Sequence, residues 1–135
     1  MREILFRAKL EDTGEWVYGY PLIDTAPCTL KAVGKCVCPH DGSVAGMYVW
    51  EDDFHEYNYF DVKADTIGQY TGFVDKIGTR IFEGDIVRVC GKRGKSGLVA
   101  FQYGRWEVGY GILFHIPTGE MEVIGNVHDN PELLT

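Results

Sequence analysis

The sequence predicts a mainly β chain: a small SH3-like partial barrel formed by an antiparallel meander over residues ~65–128, with an N-terminal β-hairpin and an irregular middle segment packed around it. Three observations carry that expectation. The 135 residues include 17 glycines and 18 aromatics (8 Tyr, 7 Phe and 3 Trp), a composition suited to many turns joining half-buried strands. From residue 65 onward, short β-prone runs alternate with turn-forming residues. Five short strands in about 60 residues, joined by tight turns, curl into a small barrel so that their edges close. A chain of this length buries roughly two-thirds of its unfolded surface, enough for one core. A single domain over 1–135 is therefore expected, divided into a hairpin (1–20), a variable middle (21–64), the meander (65–128) and a terminal turn (129–135).

Each element has a local reason. Ile4, Phe6 and Ala8 alternate with Leu5, Arg7 and Lys9, and Asp12-Thr13-Gly14 breaks the run before Trp16, Val17 and Tyr18, as in a hairpin. Residues 21–47 carry Pro21, Pro27 and Pro39 among turn-formers, with a β-like piece at Lys31–Val37. The segment YVWEDDFHEYNYFDV (48–62) reads either as an irregular strand pair or as a short helix with Trp50, Phe54 and Tyr57 at three-to-four spacing. The meander strands are expected at Thr66–Phe73, Arg80–Cys90, Leu98–Tyr103, Trp106–Ile116 and Met121–Val127. Pro117 suits the second position of a type I turn, and Asn130-Pro131 reads as a cap and first residue of a final helical turn. Val87, Val89, Val99, Phe101 and Tyr103 are expected on one buried face, opposite Arg88 and Gln102.

Charge and patterning exclude several classes. A formal net charge of −7 argues against whole-surface affinity for nucleic acid or anionic membrane. The charge is uneven: Glu51 to Asp61 holds five acids and no Lys or Arg, whereas Arg88 to Arg105 holds five basic residues and no acid. Charges at Arg2, Glu3, Arg7 and Lys9 interrupt the apolar run that a secretory signal needs, and no stretch approaches the ~18–20 apolar residues of a membrane span. A cytoplasmic protein is expected, with Cys28, Cys36, Cys38 and Cys90 as reduced thiols.

Three blocks then stand out: Ile4 with Phe6-Arg7-Ala8 and Trp16-x-Tyr18-Gly19; TIGQYTGFVDKIGTRIFEGDIV (66–87); and EVIGNVHDNPELL (122–134). Together they resemble the YopX protein family of phages and prophages. The resemblance implies a β-rich fold with a partial barrel, a phage- or prophage-encoded protein in the bacterial cytoplasm, and no established biochemical activity. Ile77, Phe82 and His128 depart from the residues common in that family, and residues 21–60 find no counterpart in it. Within the central block, Gly68 and Gly72 suggest a bulge or close backbone approach, and Gly84-Asp85 a kink before Ile86-Val87. Gln69, Asp75, Glu83 and Asp85 read as turn chemistry rather than as a functional surface.

No catalytic motif emerges. CGKRGKSG (90–97) ends like a phosphate loop, but position 89 is Val89 rather than glycine, and a strand-like run from Leu98 follows where a helix is required. Cys36, Cys38 and His40 do not have common zinc-site spacing and read as structural. The run Glu51-Asp52-Asp53-Phe54-His55-Glu56 reads as a solvated acidic face rather than a two-metal site. His115 and His128 have no nucleophile elbow to join. No cofactor, metal or enzymatic activity is expected. What remains is surface: Tyr48, Trp50, Tyr57, Tyr59 and Trp106 exceed what the core comfortably buries, and Tyr and Trp anchor interfaces. The leading expectation is a non-enzymatic protein-interaction module, self-association included. The alternative is a small-barrel nucleic-acid binder using Lys92, Arg93 and Lys95 in a glycine-rich loop, weakly and salt-sensitively.

Overall fold

A computed structural model of the chain describes residues 3–24, 44–89, 96–109, 111–112 and 116–134. It is mainly β, and its strands pair antiparallel. Two compact units divide it: Leu5–Ile67, and Met1–Ile4 together with Gly68–Thr135. Among the described residues, no helix is long and apolar enough to cross a membrane.

In the first unit, β1 (Phe6–Lys9), β2 (Trp16–Asp24), β3 (Val44–Glu51) and β4 (Glu56–Asp61) lie in the order β4-β3-β2-β1. The turn between β1 and β2 forms where Asp12-Thr13-Gly14 predicts it. Gly14 takes a φ of +75°, which glycine alone adopts without steric cost. Its N–H donates to the Leu10 carbonyl at 3.0 Å, and the Leu10 N–H donates to the Glu15 carbonyl at 2.9 Å. The register pairs Ala8 with Val17, and Arg7 with Tyr18. Because side chains alternate across a strand, that register sends Phe6, Ala8 and Val17 to one face, and Arg7, Lys9, Trp16 and Tyr18 to the other. On the first face Ala8, Met47 and Val62 are buried, with Phe6, Leu10, Val17, Ala45, Val49 and Ile67 packed around them. Thr66 fastens the rim: its hydroxyl accepts from the Lys9 N–H at 2.9 Å and donates to the Lys63 carbonyl at 2.6 Å.

The middle segment is more regular than expected. Residues 48–62 form a strand pair, with Tyr48 opposite Tyr59 and Trp50 opposite Tyr57, and not a helix. The two-residue alternation of Met47 and Val49 inward against Tyr48 and Trp50 outward outweighs the helical spacing, and Phe54 lies in the connecting turn, largely exposed. β2 runs through Pro21, which sits opposite Met47. Lys31–Val37, Cys28, Cys36, Cys38 and His40 lie outside the described residues.

The second unit holds the hairpin β5 (Gly68–Val74) and β6 (Arg80–Phe82), and a sheet of β7 (Asp85–Val89), β8 (Ser96–Gln102), β9 (Arg105–Val108), β10 (Gly111–Ile112) and β11 (Met121–Asn126). The sheet order is β10-β9-β8-β7-β11. This corrects the simple meander: β11 pairs with β7 rather than with its predecessor, and no closed barrel forms among the described strands. The expected strand Arg80–Cys90 is two strands, because Gly84 at φ +90° turns the chain. The Asp85 carboxylate, 1% exposed, locks that turn by accepting the Phe82 N–H at 2.7 Å. The expected strand Trp106–Ile116 is likewise divided, with Gly111 and Ile112 folding back on Val108 and Glu107.

Asp75 is the counterpart of Asp85 in the β5–β6 turn. Its Oδ1 accepts from the N–H groups of Ile77 (3.0 Å) and Thr79 (2.9 Å), while Oδ2 accepts from Val123 on β11 at 3.1 Å. Burial alone would raise its pKa. The backbone N–H groups of Val123, Thr79 and Ile77, with the Thr79 hydroxyl, outweigh burial and hold the carboxyl below its ordinary range.

Ile81, Val87, Val99, Val108 and Met121 form this unit's buried cluster, joined by Phe73, Trp106, Ile116 and Val123. Phe101 and Tyr103 do not share it, contrary to the alternation argument: they are 52% and 91% exposed. β7 reaches β8 only along Ser96–Leu98, so the β8–β9 hairpin runs on past the core edge. There Phe101 packs edge-to-face on Trp106 at 5.0 Å. Tyr103 and Gly104, at φ +54° and +76°, form a two-residue turn between the paired Gln102 and Arg105. The Pro117 turn is shifted by one position: the Glu120 N–H donates to the Pro117 carbonyl at 2.9 Å, making Pro117 its first residue. The terminal turn forms at Pro131–Leu134 as expected, and the Asn130 Oδ1 accepts the Asn126 N–H at 3.3 Å.

Candidate protein-binding face

The face of β2–β3–β4 turned away from Ala8 and Met47 carries seven large, substantially exposed side chains. They are Tyr18, Tyr20 and Leu22 on β2, Tyr48 and Trp50 on β3, and Tyr57 and Tyr59 on β4, each between 41% and 51% exposed. Strict alternation puts them there: each is separated from the next on its strand by one residue of the opposite face. Tyr20 stands opposite Tyr48, and Tyr48 opposite Tyr59. The rings pair across the strands, with Tyr48 and Tyr59 at 5.1 Å and 63°, Trp50 and Tyr57 at 5.1 Å and 66°, and Tyr20 and Tyr57 at 6.1 Å and 63°. All three are edge-to-face pairs, the geometry that aligns a positive ring edge with a negative face.

Two glycines shape this face. At Gly46 a Cβ would lie 2.1 Å from Cζ and Oη of Tyr59, so the absence of a side chain lets that ring lie across β3. At Gly19 a Cβ would lie 2.0 Å from the Tyr48 carbonyl oxygen, which marks a close approach of β2 and β3 backbones. Between these strands an open cleft of 440 Å³ is lined by Leu5, Tyr18, Gly19, Tyr20, Trp50 and Tyr57. The Trp50 indole is anchored beside it, its Nε1–H donating to Asp52 Oδ1 at 2.7 Å. Partial burial, with the nearby Asp61 carboxylate and Tyr48, raises the Tyr59 phenol pKa, so its hydroxyl stays neutral and able to donate.

The surround is acidic. Glu51 and Glu56 face each other at the end of the β3–β4 hairpin, Asp52 and Asp53 are exposed in its turn, and Asp61 ends β4. Residues 5–67 carry eleven acidic and five basic side chains, a net −6 of the chain's −7. Two cations of this face on β1 are held against an indole: Arg7 Cζ lies 4.5 Å and Lys9 Nζ 5.4 Å from the Trp16 ring centroid. Among the described residues, no group of three or more His, Cys, Asp or Glu side chains is placed to hold a metal ion.

Of the five aromatics singled out from the sequence, the structure brings Tyr48, Trp50, Tyr57 and Tyr59 together. Trp106 stands in the other unit, half-buried against its core. Tyr18, Tyr20 and Leu22 were missed as members of the face, although their spacing in WVYGYPL, every second residue, is the signal that places them. Lys92, Arg93 and Lys95 lie outside the described residues.

The family described as YopX protein matches residues 5–135. The chain belongs to the YopX protein family. Among solved structures, the crystal structure of protein EF1440 from Enterococcus faecalis is similar, with a TM-score of 0.61 and 23% identity over 100% of each chain. That likeness shows a shared fold. A comparison with curated proteins finds no match. The blocks that resemble YopX proteins fall on β1, β2, β5–β7 and β11 with its terminal turn. The family match also runs through the β3–β4 hairpin, which corrects the expectation that residues 21–60 have no counterpart in it: the whole aromatic face lies within the matched residues.

Proposed function

We propose that this YopX protein is a non-enzymatic phage or prophage accessory protein that works in the bacterial cytoplasm by binding another protein through the outer face of β2–β3–β4. The observation that carries the reading is the exposed aromatic set. At 150–250 Å² for each large side chain, exposures near one half amount to about 600 Å² of contiguous, mainly apolar surface. Monomers rarely leave more than about 300–600 Å² together, and one side of a standard interface takes about 800 Å². A face of that size, six of its seven large side chains tyrosine or tryptophan, fits an interface that is hydrated until its partner arrives, since each ring keeps a polar tip.

The test is a purified pair. A protein captured from bacterial host cells by the tagged chain is purified and titrated against wild type, Tyr48→Ser, Tyr59→Ser and Arg88→Ala. Tyr48→Ser and Tyr59→Ser are expected to weaken binding by about tenfold or more each, as central aromatic anchors do, and Arg88→Ala by less than about twofold. Equal affinity for wild type and both tyrosine variants overturns the proposal.

A further inference from the structure

Building on that reading of the face, we infer that the cleft among Tyr18, Tyr20, Trp50 and Tyr57 receives a cationic side chain, an arginine or lysine from a basic segment of the partner protein. Four aromatic rings bound one open cleft of 440 Å³. Ring faces carry the negative part of the aromatic quadrupole and attract a desolvated cation, most strongly at tryptophan. Apolar lining alone would serve an aliphatic side chain equally well, so charge decides. Asp52 is hydrogen-bonded to the Trp50 indole at 2.7 Å, which fixes a carboxylate at the edge of the best cation-binding ring. Glu51, Asp53 and Glu56 lie on the same hairpin end. The six lining residues include no Lys or Arg.

The same face already shows this chemistry once. Arg7, 7% exposed, sets its guanidinium 4.5 Å from the Trp16 ring, so an arginine over an indole is compatible with this sheet surface. With residues 5–67 at net −6, a basic segment is drawn to the unit at long range and a neutral or acidic one is not. A guanidinium in the cleft would then have ring faces for its flat sides, beside a ring that is itself tied to the Asp52 carboxylate, which favours arginine over a merely apolar guest.

Hexa-arginine and its uncharged isostere hexa-citrulline are the probes, titrated into the full chain at about 50 mM salt, where exposed charges are only partly screened. Binding is followed by calorimetry and by the Trp50 indole N–H resonance, assigned by its loss in Trp50→Phe. Hexa-arginine is expected to shift that resonance and bind about tenfold or more tighter than hexa-citrulline. Trp50→Leu and Tyr57→Leu should each weaken it about fivefold, and Asp52→Asn about threefold. Asp52 lies on an exposed turn, so Asp52→Asn keeps the test alive if a ring variant unfolds. Equal binding of the two peptides, or hexa-arginine binding indifferent to Trp50→Leu, overturns the inference. The purified protein partner separates the two proposals. A partner weakened by Tyr48→Ser, yet indifferent to Asp52→Asn and to saturating hexa-arginine, leaves the protein-binding face standing and removes the cation. Hexa-arginine bound at Trp50 with a partner indifferent to Tyr48→Ser and Tyr59→Ser does the reverse.

Discussion

Asp75→Ala is expected to be among the most damaging single substitutions in the second unit, although it removes a polar residue from a turn. The side chain is 2% exposed and its two oxygens accept three backbone N–H groups, from Ile77, Thr79 and Val123. Alanine leaves those donors without acceptors in a place water reaches poorly. At about 1–3 kcal/mol for each unsatisfied group, partly relieved by local opening, the loss should be about 3–6 kcal/mol. That is a large share of the ~5–15 kcal/mol that holds a typical domain together. Asp75→Asn is the sharper variant: its carbonyl oxygen can keep the Ile77 and Thr79 bonds, while its amide nitrogen then meets the Val123 N–H donor to donor. It should fall between wild type and Asp75→Ala.

The pH dependence follows with a definite sign. The folded pKa of Asp75 lies below its unfolded value, so its stabilisation is present above the unfolded pKa of about 3.9 and is lost as pH falls through the folded pKa. Urea denaturation from pH 7 to pH 2.5 measures both effects. Wild type should lose stability across the acid limb, and the Asp75→Asn curve should be flatter there. A loss under about 1 kcal/mol for Asp75→Ala at pH 7, or parallel acid limbs for wild type and Asp75→Asn, would refute the assignment of Asp75 as a fastener between the β5–β6 turn and β11.

Three further outcomes are expected. Val87→Ala, at a fully buried site, should cost about 1–4 kcal/mol in denaturant titration, whereas Phe101→Ala should cost less because half of that ring is already in water; the opposite ranking would place the hairpin tip in the core. Tyr103→Asn should raise stability by about 0.5–1 kcal/mol, since asparagine tolerates the φ of +54° better and no buried contact is lost at 91% exposure; a lower melting temperature would contradict the turn assigned to Tyr103-Gly104. Gly19→Ala should destabilise the first unit by about 2 kcal/mol or more, because a Cβ 2.0 Å from the Tyr48 carbonyl forces β2 and β3 apart; amide exchange unchanged along β3 would rule that close approach out.

The sequence carried the strands better than their partners. Alternation located β1, β2 and the valines of β7 and β8 because period two is a local property that either face of a sheet enforces. It failed at Phe101, where whether an alternating side chain is buried depends on how far the neighbouring strand extends, and β7 stops opposite Leu98. The pairing of β11 with β7 was equally illegible, since Met121 and Val89 come together through a long-range choice that no local residue announces. Gly84-Asp85 predicts a kink and forms a full turn, because the Asp85 carboxylate reaches back to the Phe82 N–H, a contact no local pattern announces. At the candidate site, residue type flagged Tyr48, Trp50, Tyr57 and Tyr59. Their assembly with Tyr18 and Tyr20 depends on the order β4-β3-β2, a tertiary fact.

The two faces of β2 and β3 argue that the aromatic surface is not a core left uncovered. The inward positions are Val17, Ala45, Met47 and Val49, aliphatic and closely packed, where volume and shape decide stability. The outward positions include Tyr18, Tyr20, Tyr48 and Trp50, each able to hydrogen-bond with water at its tip, with Leu22 as the aliphatic member. A chain under pressure only to hide apolar area would place charged and small polar side chains outside. This one places amphipathic rings, braces them edge to face, keeps glycine at position 46 so that Tyr59 can lie flat across β3, and ties Trp50 to Asp52. Bracing matters because ordering a side chain at binding costs about 0.5–1.5 kcal/mol for each one immobilised. Rings already fixed by their neighbours in the free protein avoid most of that cost, so the interactions that hold this face rigid are the same ones that make it fit to bind.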